Sequence, residues 1–523
     1  MLSDHLPTVF SDLDLAVFDS VVRRDHPLRL SLLVIDFQEL RRLVSPFYSK
    51  ELGRPAIEPL LMIKLEMLMD RDRLSDRQVI ERATTDIAYR FFLELGLNDS
   101  LPEHSSMCYF RARLGEDGYR KIFNESVAAA KRSGLLKDRL RITDCTHLLA
   151  DAATPATVNL IAQWRDRLLS SCSVFARERV EGERLRLVSL RETTKDLSVA
   201  LRLSARVTHC RELLAWMEPL APPADAADNA AWQRFRQDLA LLGKVLGKVL
   251  GEREQPSVCD RTRSAVDPDA RRGKHGDFYD GYRTSTVIDP DSEIITNVGV
   301  QPANSDEAAC IPELIRQEEA AHGSDIEAVS TDGIGFNGAV LRELQDPDGL
   351  NLKVIVPPPR EPETKLFTSE QFVKSDYGQK VTCPAGQTSQ YRQRDEAKHV
   401  TIHRFDAALC ASCPLMAQCM AKAPDKMGRT VRKNDYEAEY QQARQYAQTD
   451  EYKAVRREHP AIERKQSEMI RQHGCRRARY RGLLKSRCQM LMTATVVNIK
   501  RLTKLLGCPF VGMCHDEIAL IES

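Results

Sequence analysis

No run of 18 apolar residues occurs anywhere in the 523-residue chain, so no segment reads as a transmembrane helix. The opening MLSDHLPTVFSDLDL lacks the basic-then-apolar layout of a signal peptide. Both absences point to a cytoplasmic protein with no membrane partner. A surplus of one charge is missing too: 76 Lys and Arg stand against 75 Asp and Glu, a net charge of +1. The whole chain therefore carries no nucleic-acid signal, and any basic surface must be local. Internal repeats and low-complexity tracts are absent, which excludes solenoids. What is present is length, enough for roughly two to four domains. In a reducing compartment, the fourteen cysteines divide into clustered ones that suit metal and scattered ones, Cys145 among them, that suit core packing.

Residues 1–135 read as a helical domain, because apolar residues recur at helical spacing in IEPLLMIKLEMLM and RQVIERATTDIAYRFFLEL. Gly53, Arg54 and Pro55 precede the first of these helices, and Ser75 and Asp76 cap the second. Pro102 to Ser106 introduce a short helix, SMCYFRARLG, whose Arg111 and Arg113 either enter a DNA groove or form a solvated basic face.

From residue 140 the period becomes two. Leu140, Ile142, Asp144, Thr146 and Leu148 share one strand face, so a carboxylate sits in register with apolar side chains, where an unpaired charge is costly. Residues 155–255 read as a charged helical insertion, broken at Pro222, Pro223 and DAADNAA. Strand patterns resume in GYRTSTVI and EIITNVGV around the turn DPDS. A helix, the strand IEAVST ending at Asp332, a second helix and the strand NLKVIV follow, the last stopped by Pro357 to Pro359. With residues 136–154 and 256–360 as its first parts and 431–510 as its last, this is the element order of an RNase H-like core. The expected class is multidomain α/β, with a mixed-sheet core, a helical N-terminal domain, a helical insertion and a Cys-rich insertion at 361–430.

Cys383, Cys410, Cys413 and Cys419 fit a structural four-thiolate zinc site, CPAG forming one knuckle and CASCPLMAQC supplying the rest. His403 is an alternative ligand or a surface strand residue. Between Lys453 and Lys504, fifteen Lys or Arg stand against three acidic residues, a local excess typical of a phosphate-contacting surface, though a charge run is also commonly a solvated face. Arg456, Arg457, Arg471, Arg476, Arg477, Arg479, Arg481 and Lys485 are its DNA-contact candidates, and Tyr480 among them could stack on an unpaired base.

Several stretches in sequence order resemble the bacterial insertion-sequence transposases of the DDE class. GRPAIEP, LSDRQVIE and SSMCYFRARL resemble their helical N-terminal domain, and TDCTHLLADA the block around their first aspartate. DPDARRGKHGDFYDGYRTSTVID resembles the second-strand block, STDGIGFNG the second-aspartate block, and IERKQSEMIRQHGCRRARYRGL with VVNIKRL the glutamate block. The 155–255 insertion has no match in that pattern. The resemblance implies that Asp144, Asp332 and Glu463 are a catalytic triad holding Mg²⁺ or Mn²⁺, whose hard character suits carboxylate oxygens. It implies an oligomer acting on double-stranded DNA, the terminal inverted repeats and a target. Many relatives place a tyrosine and an arginine before the glutamate and a lysine after it; here Arg456 or Arg457 and Arg471 take those places. Two other readings stay open: a DNA-binding regulator or domesticated relative that does not cut, and a nuclease without strand transfer. An Asp at a strand end before glycine, as at Asp332 and Gly333, is also an ordinary turn former, and Glu458 and Glu468 compete with Glu463.

Overall fold

The computed structural model describes residues 2, 10–49, 53–152, 157–222, 230–249, 261–360, 366–375 and 379–510. The expected break at Pro222 runs into residues 223–229, which lie outside them, as does most of the opening segment. Helices α1 (Asp12–Val21), α2 (Pro27–Val34), α3 (Phe37–Val44), α4 (Pro59–Arg71), α5 (Asp76–Thr85), α6 (Ile87–Leu93) and α7 (Ser105–Arg132) come first. Their starts follow local chemistry. Pro59 opens α4, and Ser75 with Gln78 closes a reciprocal capping box on α5. The short helix expected around SMCYFRARLG ends at Gly115, whose φ of 56° and ψ of −164° are not helical, and a second helical stretch completes α7 to Arg132.

The core sheet comprises β1 (Arg141–Leu149), β2 (Arg271–His275), β3 (Asp277–Ile288), β4 (Ile295–Pro302), β5 (Ala328–Ser330) and β6 (Lys353–Ile355). Strand β3 runs antiparallel to β1 on one side, and to β2 and β4 along successive halves of its other side. Beyond β1, β5 and β6 add in parallel. Three antiparallel strands followed by two parallel ones form the mixed RNase H-like sheet, so the element order read from the sequence holds. Only β2, a short edge hairpin partner, is additional.

Between β1 and β2 the chain forms α8 (Thr157–Cys172), α9 (Arg177–Thr194), α10 (Val199–Met217) and α11 (Ala230–Val249), with a hydrophobic core of their own around Trp164, Leu213 and Phe235. Helices α12 (Ile311–His322) and α13 (Gly338–Leu344) separate the last three strands of the core sheet. A Cys-rich segment follows, with β7 (Val373–Ser375), β8 (Lys380–Thr382), β9 (Tyr391–Asp395), β10 (Val400–Arg404), α14 (Ala407–Ala411), α15 (Met416–Cys419) and β11 (Thr430–Asn434) around a small core of Phe372, Val381, Phe405 and Val431. The chain then forms α16 (Glu437–Tyr446), α17 (Asp450–Glu458), α18 (Pro460–His473) and α19 (Leu483–Phe510). One continuous apolar core joins the N-terminal helices to β1, β3, β4, α18 and α19.

Two buried polar anchors fix the strand that carries Asp144. Arg141, fully buried at the start of β1, pairs with Glu318 of α12 at 2.6 Å and with Asp289 beyond β3 at 3.5 Å. At the far end, the Leu149 N–H donates to Arg476 O at 2.9 Å, and the Ala478 N–H returns a bond to Leu149 O at 2.8 Å. Among the described residues, no helix is long and apolar enough to cross a membrane.

Candidate metal centre and nucleic-acid interface

Parallel pairing of β1 with β5 sets Ile142 opposite Ser330. Two residues further along each strand path stand Asp144, within β1, and Asp332, two residues past the end of β5, so the two aspartates fall on the same side of neighbouring strands. Asp144 is half-buried, and its Oδ1 accepts the Cys145 N–H at 2.8 Å. Burial, followed by the charges of Asp332, Glu463 and Glu307, pushes its carboxyl up to about 7 against that hydrogen bond. The three sequence-derived carboxylates thus share one electrostatic neighbourhood. Asp332 also does what a turn former does: its Oδ1 accepts the Ile334 N–H at 3.2 Å and caps the turn Gly333–Gly335.

Glu463 lies in the first turn of α18, a helix started by Pro460. On the same side of the helix, Gln466 is buried and Ile470 half-buried, while Glu463 itself is exposed. Its two competitors are engaged elsewhere. Glu458 accepts Arg139 at 2.7 Å, and Glu468 is bound by Lys465 at 3.0 Å and Lys500 at 3.1 Å. Helix α18 is held from beneath by His473, whose Nδ1 lies 3.1 Å from Asp70 Oδ1 of α4, while Thr493 of α19 donates to Asp70 Oδ2 at 2.8 Å.

Near the aspartates, Glu307, Ser285, Cys310 and His459 were not read from the sequence, and Arg456 and Cys145 were read in other roles. Glu307, which raises the Asp144 carboxyl, is paired with Arg283 at 2.5 Å. The hydroxyl of Ser285 lies 3.0 Å from Cys145 Sγ and 3.2 Å from Cys310 Sγ, so Cys145 is hydrogen-bonded and not simply packed. Arg456 bonds the backbone beside Asp332, and the His459 Nδ1 lies 3.2 Å from the Ser330 hydroxyl. The only signal for these in sequence was an acidic or basic residue near a strand end.

The basic candidates separate into two groups. Arg113, Arg457, Arg471, Arg477, Arg481 and Lys485 are exposed. Arg111 is not a groove contact: its Nε binds buried Glu66 at 2.7 Å, its Nη1 binds Asp76 at 2.9 Å, and its guanidinium covers the Tyr480 ring at 5.0 Å. Tyr480 is therefore half-buried, with one ring face covered by Arg111. Arg476 donates to His147 O at 3.0 Å, Arg479 to Leu74 O at 3.1 Å and Arg456 to Thr331 O at 2.8 Å, so these three serve backbone carbonyls within the fold. Much of the local basic excess is likewise consumed internally, by Arg464 on Glu293 and Arg487 on Glu116.

Cys383, Cys410, Cys413 and Cys419 all line one small cavity beside Phe372 and Phe405. Burial holds the Cys419 thiol above its ordinary value; Arg429 opposes this, and the other three thiols add to it. The CPAG stretch makes a tight turn in which the Gly386 N–H reaches Cys383 O at 2.8 Å, Gly386 having a φ of 79°. His403 is not at the surface: it is 1% exposed on β10, with Nδ1 at 3.3 Å from the Ser389 hydroxyl. Cys172, Cys210 and Cys475 are buried packing residues as expected, whereas Cys108 is exposed. Among the described residues, no group of three or more His, Cys, Asp or Glu side chains is placed to hold a metal ion.

Two family models match the chain. The description "Transposase domain (DUF772)" matches residues 16–113, most of the helices before β1, and "Transposase DDE domain" matches residues 382–503, which include the four cysteines and Glu463. A curated relative, "Uncharacterized protein ORF8 in nfe locus" of Rhizobium meliloti, is 29% identical over 118 residues, 22% of this chain. The alignment spans 56% of that relative's length. No solved structure matches. Both transposase matches fall in the expected order on either side of the mixed sheet, and together they support an insertion-sequence transposase of the DDE class.

Proposed function

We propose that this protein is a DNA transposase that binds the terminal inverted repeats of a mobile element, cuts at them and joins the freed ends to target DNA. Asp144, Asp332 and Glu463 are its metal-holding carboxylates. The observation that carries the reading is that Asp144, on β1, feels the charges of Asp332 and Glu463, which come from two separate elements far apart in the chain. Carboxylates from three elements, two of which add to the raised proton affinity of Asp144, form a donor set for a hard divalent cation, whose charge offsets their repulsion. Mg²⁺ or Mn²⁺ held there supplies Lewis-acid activation of the attacking hydroxyl and stabilisation of the leaving oxygen. The chain's own residues supply position: the β1–β5 register aligns the aspartates, Arg456 fixes the backbone before Asp332, and the α4 and α19 contacts hold the helix bearing Glu463.

Exposed Arg113, Arg457, Arg471, Arg477, Arg481 and Lys485 supply phosphate contacts, and residues 1–135 serve DNA binding or assembly. Two ends must be brought together, so the working form is a homo-oligomer acting in the bacterial cytoplasm. The test is incubation with Mg²⁺ or Mn²⁺, a duplex bearing the element's end and a target plasmid. Cleavage and joining by wild type, lost in Asp144→Ala and Asp332→Ala, supports the reading. DNA that is bound but never nicked makes this a non-cutting relative, and cut ends that never join make it a nuclease.

The thiol-lined cavity is the second metal site in this reading, taking Zn²⁺ through Cys383, Cys410, Cys413 and Cys419. The support is four thiols around one cavity in a segment whose described residues bury four apolar side chains in a small core, a size that gains from a further tie. Elemental analysis of the purified chain should give about one zinc per molecule, lost with Cys410→Ser. Stoichiometric thiol titration with no zinc and no change in melting on chelation rejects it.

A further inference from the structure

Asp144 and Thr286 stand directly opposite each other in the antiparallel pairing of β1 with β3. Directly opposed residues point to the same face of a sheet, with Cβ atoms about 4.5–5.5 Å apart. The core contacts show which face this is. Ile142 and Leu148 of β1 and Tyr282 and Ile288 of β3, which alternate in step with the pair, share one apolar cluster with Ile462 and Met469 of α18. Val287, on the other face, packs instead with Ile311, Leu314 and Ile315 of α12. Thr286 therefore lies beside Asp144 on the side of the sheet that receives α18, the helix bearing Glu463.

Thr286 is fully buried, and its hydroxyl has no hydrogen-bond partner among the described residues. An unpaired hydroxyl in an apolar layer is costly, and packing alone would be met at least as well by valine, which has the same shape and suits a buried strand. The neighbouring strand shows what such a hydroxyl can do. Thr296 of β4, equally buried, donates to the Glu318 carboxylate at 2.6 Å. Asp144 already receives one fixed donor, the Cys145 N–H on Oδ1 at 2.8 Å. A carboxylate that holds a metal ion binds it more tightly when further donors fix its orientation, and the span between opposed side chains is one that a change of rotamer closes. We propose that Thr286 is a positioning residue for the reaction: in the metal-bound state its hydroxyl donates to the Asp144 carboxylate and fixes the orientation in which that group meets the metal. The inference rests on the reading of Asp144 as a metal-holding residue. Thr284, two positions along the same face, also has a buried hydroxyl without a partner, but it stands opposite Thr146 and so serves as the control.

The experiment is Mn²⁺ titration of the full chain with a duplex end, followed by electron paramagnetic resonance, beside single-turnover cleavage and thermal melting. Wild type, Thr286→Val, Thr286→Ser, Thr284→Val and Asp144→Asn are compared. A packing role predicts that the valine behaves like wild type and that the serine, which loses a buried methyl, is the impaired variant. A hydroxyl role predicts the reverse order. Thr286→Val should weaken Mn²⁺ binding roughly tenfold or more and slow cleavage while melting no lower than wild type, and Thr286→Ser should bind Mn²⁺ within about threefold of wild type. Thr286→Val that binds Mn²⁺ as wild type does, while Asp144→Asn does not, overturns this inference alone. Asp144→Asn that binds Mn²⁺ as wild type does overturns the metal-site reading with it. Equal weakening in Thr284→Val assigns the effect to the polarity of the whole face and overturns the pairing of Thr286 with Asp144. If Thr286→Val fails to fold, Thr286→Ala against Thr286→Ser in the same titration decides.

Discussion

The Nη1 of Arg456 donates a 2.8 Å hydrogen bond to the carbonyl oxygen of Thr331, the residue immediately before Asp332. An arginine expected from sequence to touch DNA thus holds the backbone from which Asp332, a proposed metal-holding carboxylate, projects. Arg456→Ala should slow cleavage roughly tenfold or more while changing duplex affinity less than about threefold. Single-turnover cleavage and anisotropy measured side by side decide it, because a phosphate contact predicts the reverse: weaker, less salt-dependent binding with cleavage of bound DNA unaffected.

The glutamates of α17 and α18 should separate by function. Glu458 pairs with a half-exposed arginine, so Glu458→Gln should cost at most about 1 kcal/mol, whereas Glu468→Gln takes the nearest carboxylate from Lys465, 3% exposed, and should cost more, on the order of 3 kcal/mol; both should keep activity. Glu463→Gln should leave the melting transition in place and remove metal-dependent cleavage. Retained cleavage in that variant, with loss in Glu468→Gln, would reassign the third carboxylate.

Arg111 and Arg113, two residues apart on α7, should behave oppositely. Arg111→Ala leaves Glu66, 2% exposed, without its cation and should cost on the order of 3–5 kcal/mol. Arg113 is exposed over the Tyr48 ring at 4.5 Å, and its loss should cost under about 1 kcal/mol while weakening DNA binding. Urea denaturation of both variants checks the order; equal stability would remove the buried ion pair from the account.

Acid should destabilise the fold through buried histidines. Burial, helped by Arg456, lowers the His459 imidazole to about 4, and burial also lowers His322 to about 4. Because the folded value lies below the unfolded one near 6.5, the unfolded chain binds more protons in that window. The penalty is absent above pH 6.5, grows as pH falls, and is complete below about 4. For His459, 6% exposed, it amounts to about 2–3 kcal/mol. The Asp144 and Glu66 carboxyls, both held up at about 7, act with the opposite sign in this window, so the test is the difference between wild type and His459→Gln in urea midpoint, which should shift in favour of the variant as pH falls from 7 to 5; a difference independent of pH contradicts this.

Legibility from sequence followed the range of the forces involved. The strand order, the register of Asp144 and the cap at Ser75 were readable because each depends on periodicity or on residues a few positions apart. Arg111, Arg476 and Tyr480 were misread because a basic or aromatic residue looks the same in sequence whether it meets phosphate or a buried carboxylate, and their partners Glu66, His147 and Arg111 lie 45 to more than 300 positions away. Glu463 was separable from Glu458 and Glu468 only once the partners of those two, Arg139 and Lys500, could be seen. His403 was taken for a surface residue because strand alternation gives a face but not which face is covered.

The central claim is that Asp144, Asp332 and Glu463 hold one divalent-metal site. Mn²⁺ binding to the full chain in complex with a duplex end, followed by electron paramagnetic resonance, tests it most directly. The account predicts that Asp144→Asn, Asp332→Asn and Glu463→Gln each weaken that binding by roughly tenfold or more. Mn²⁺ bound as tightly by all three variants as by wild type would contradict it.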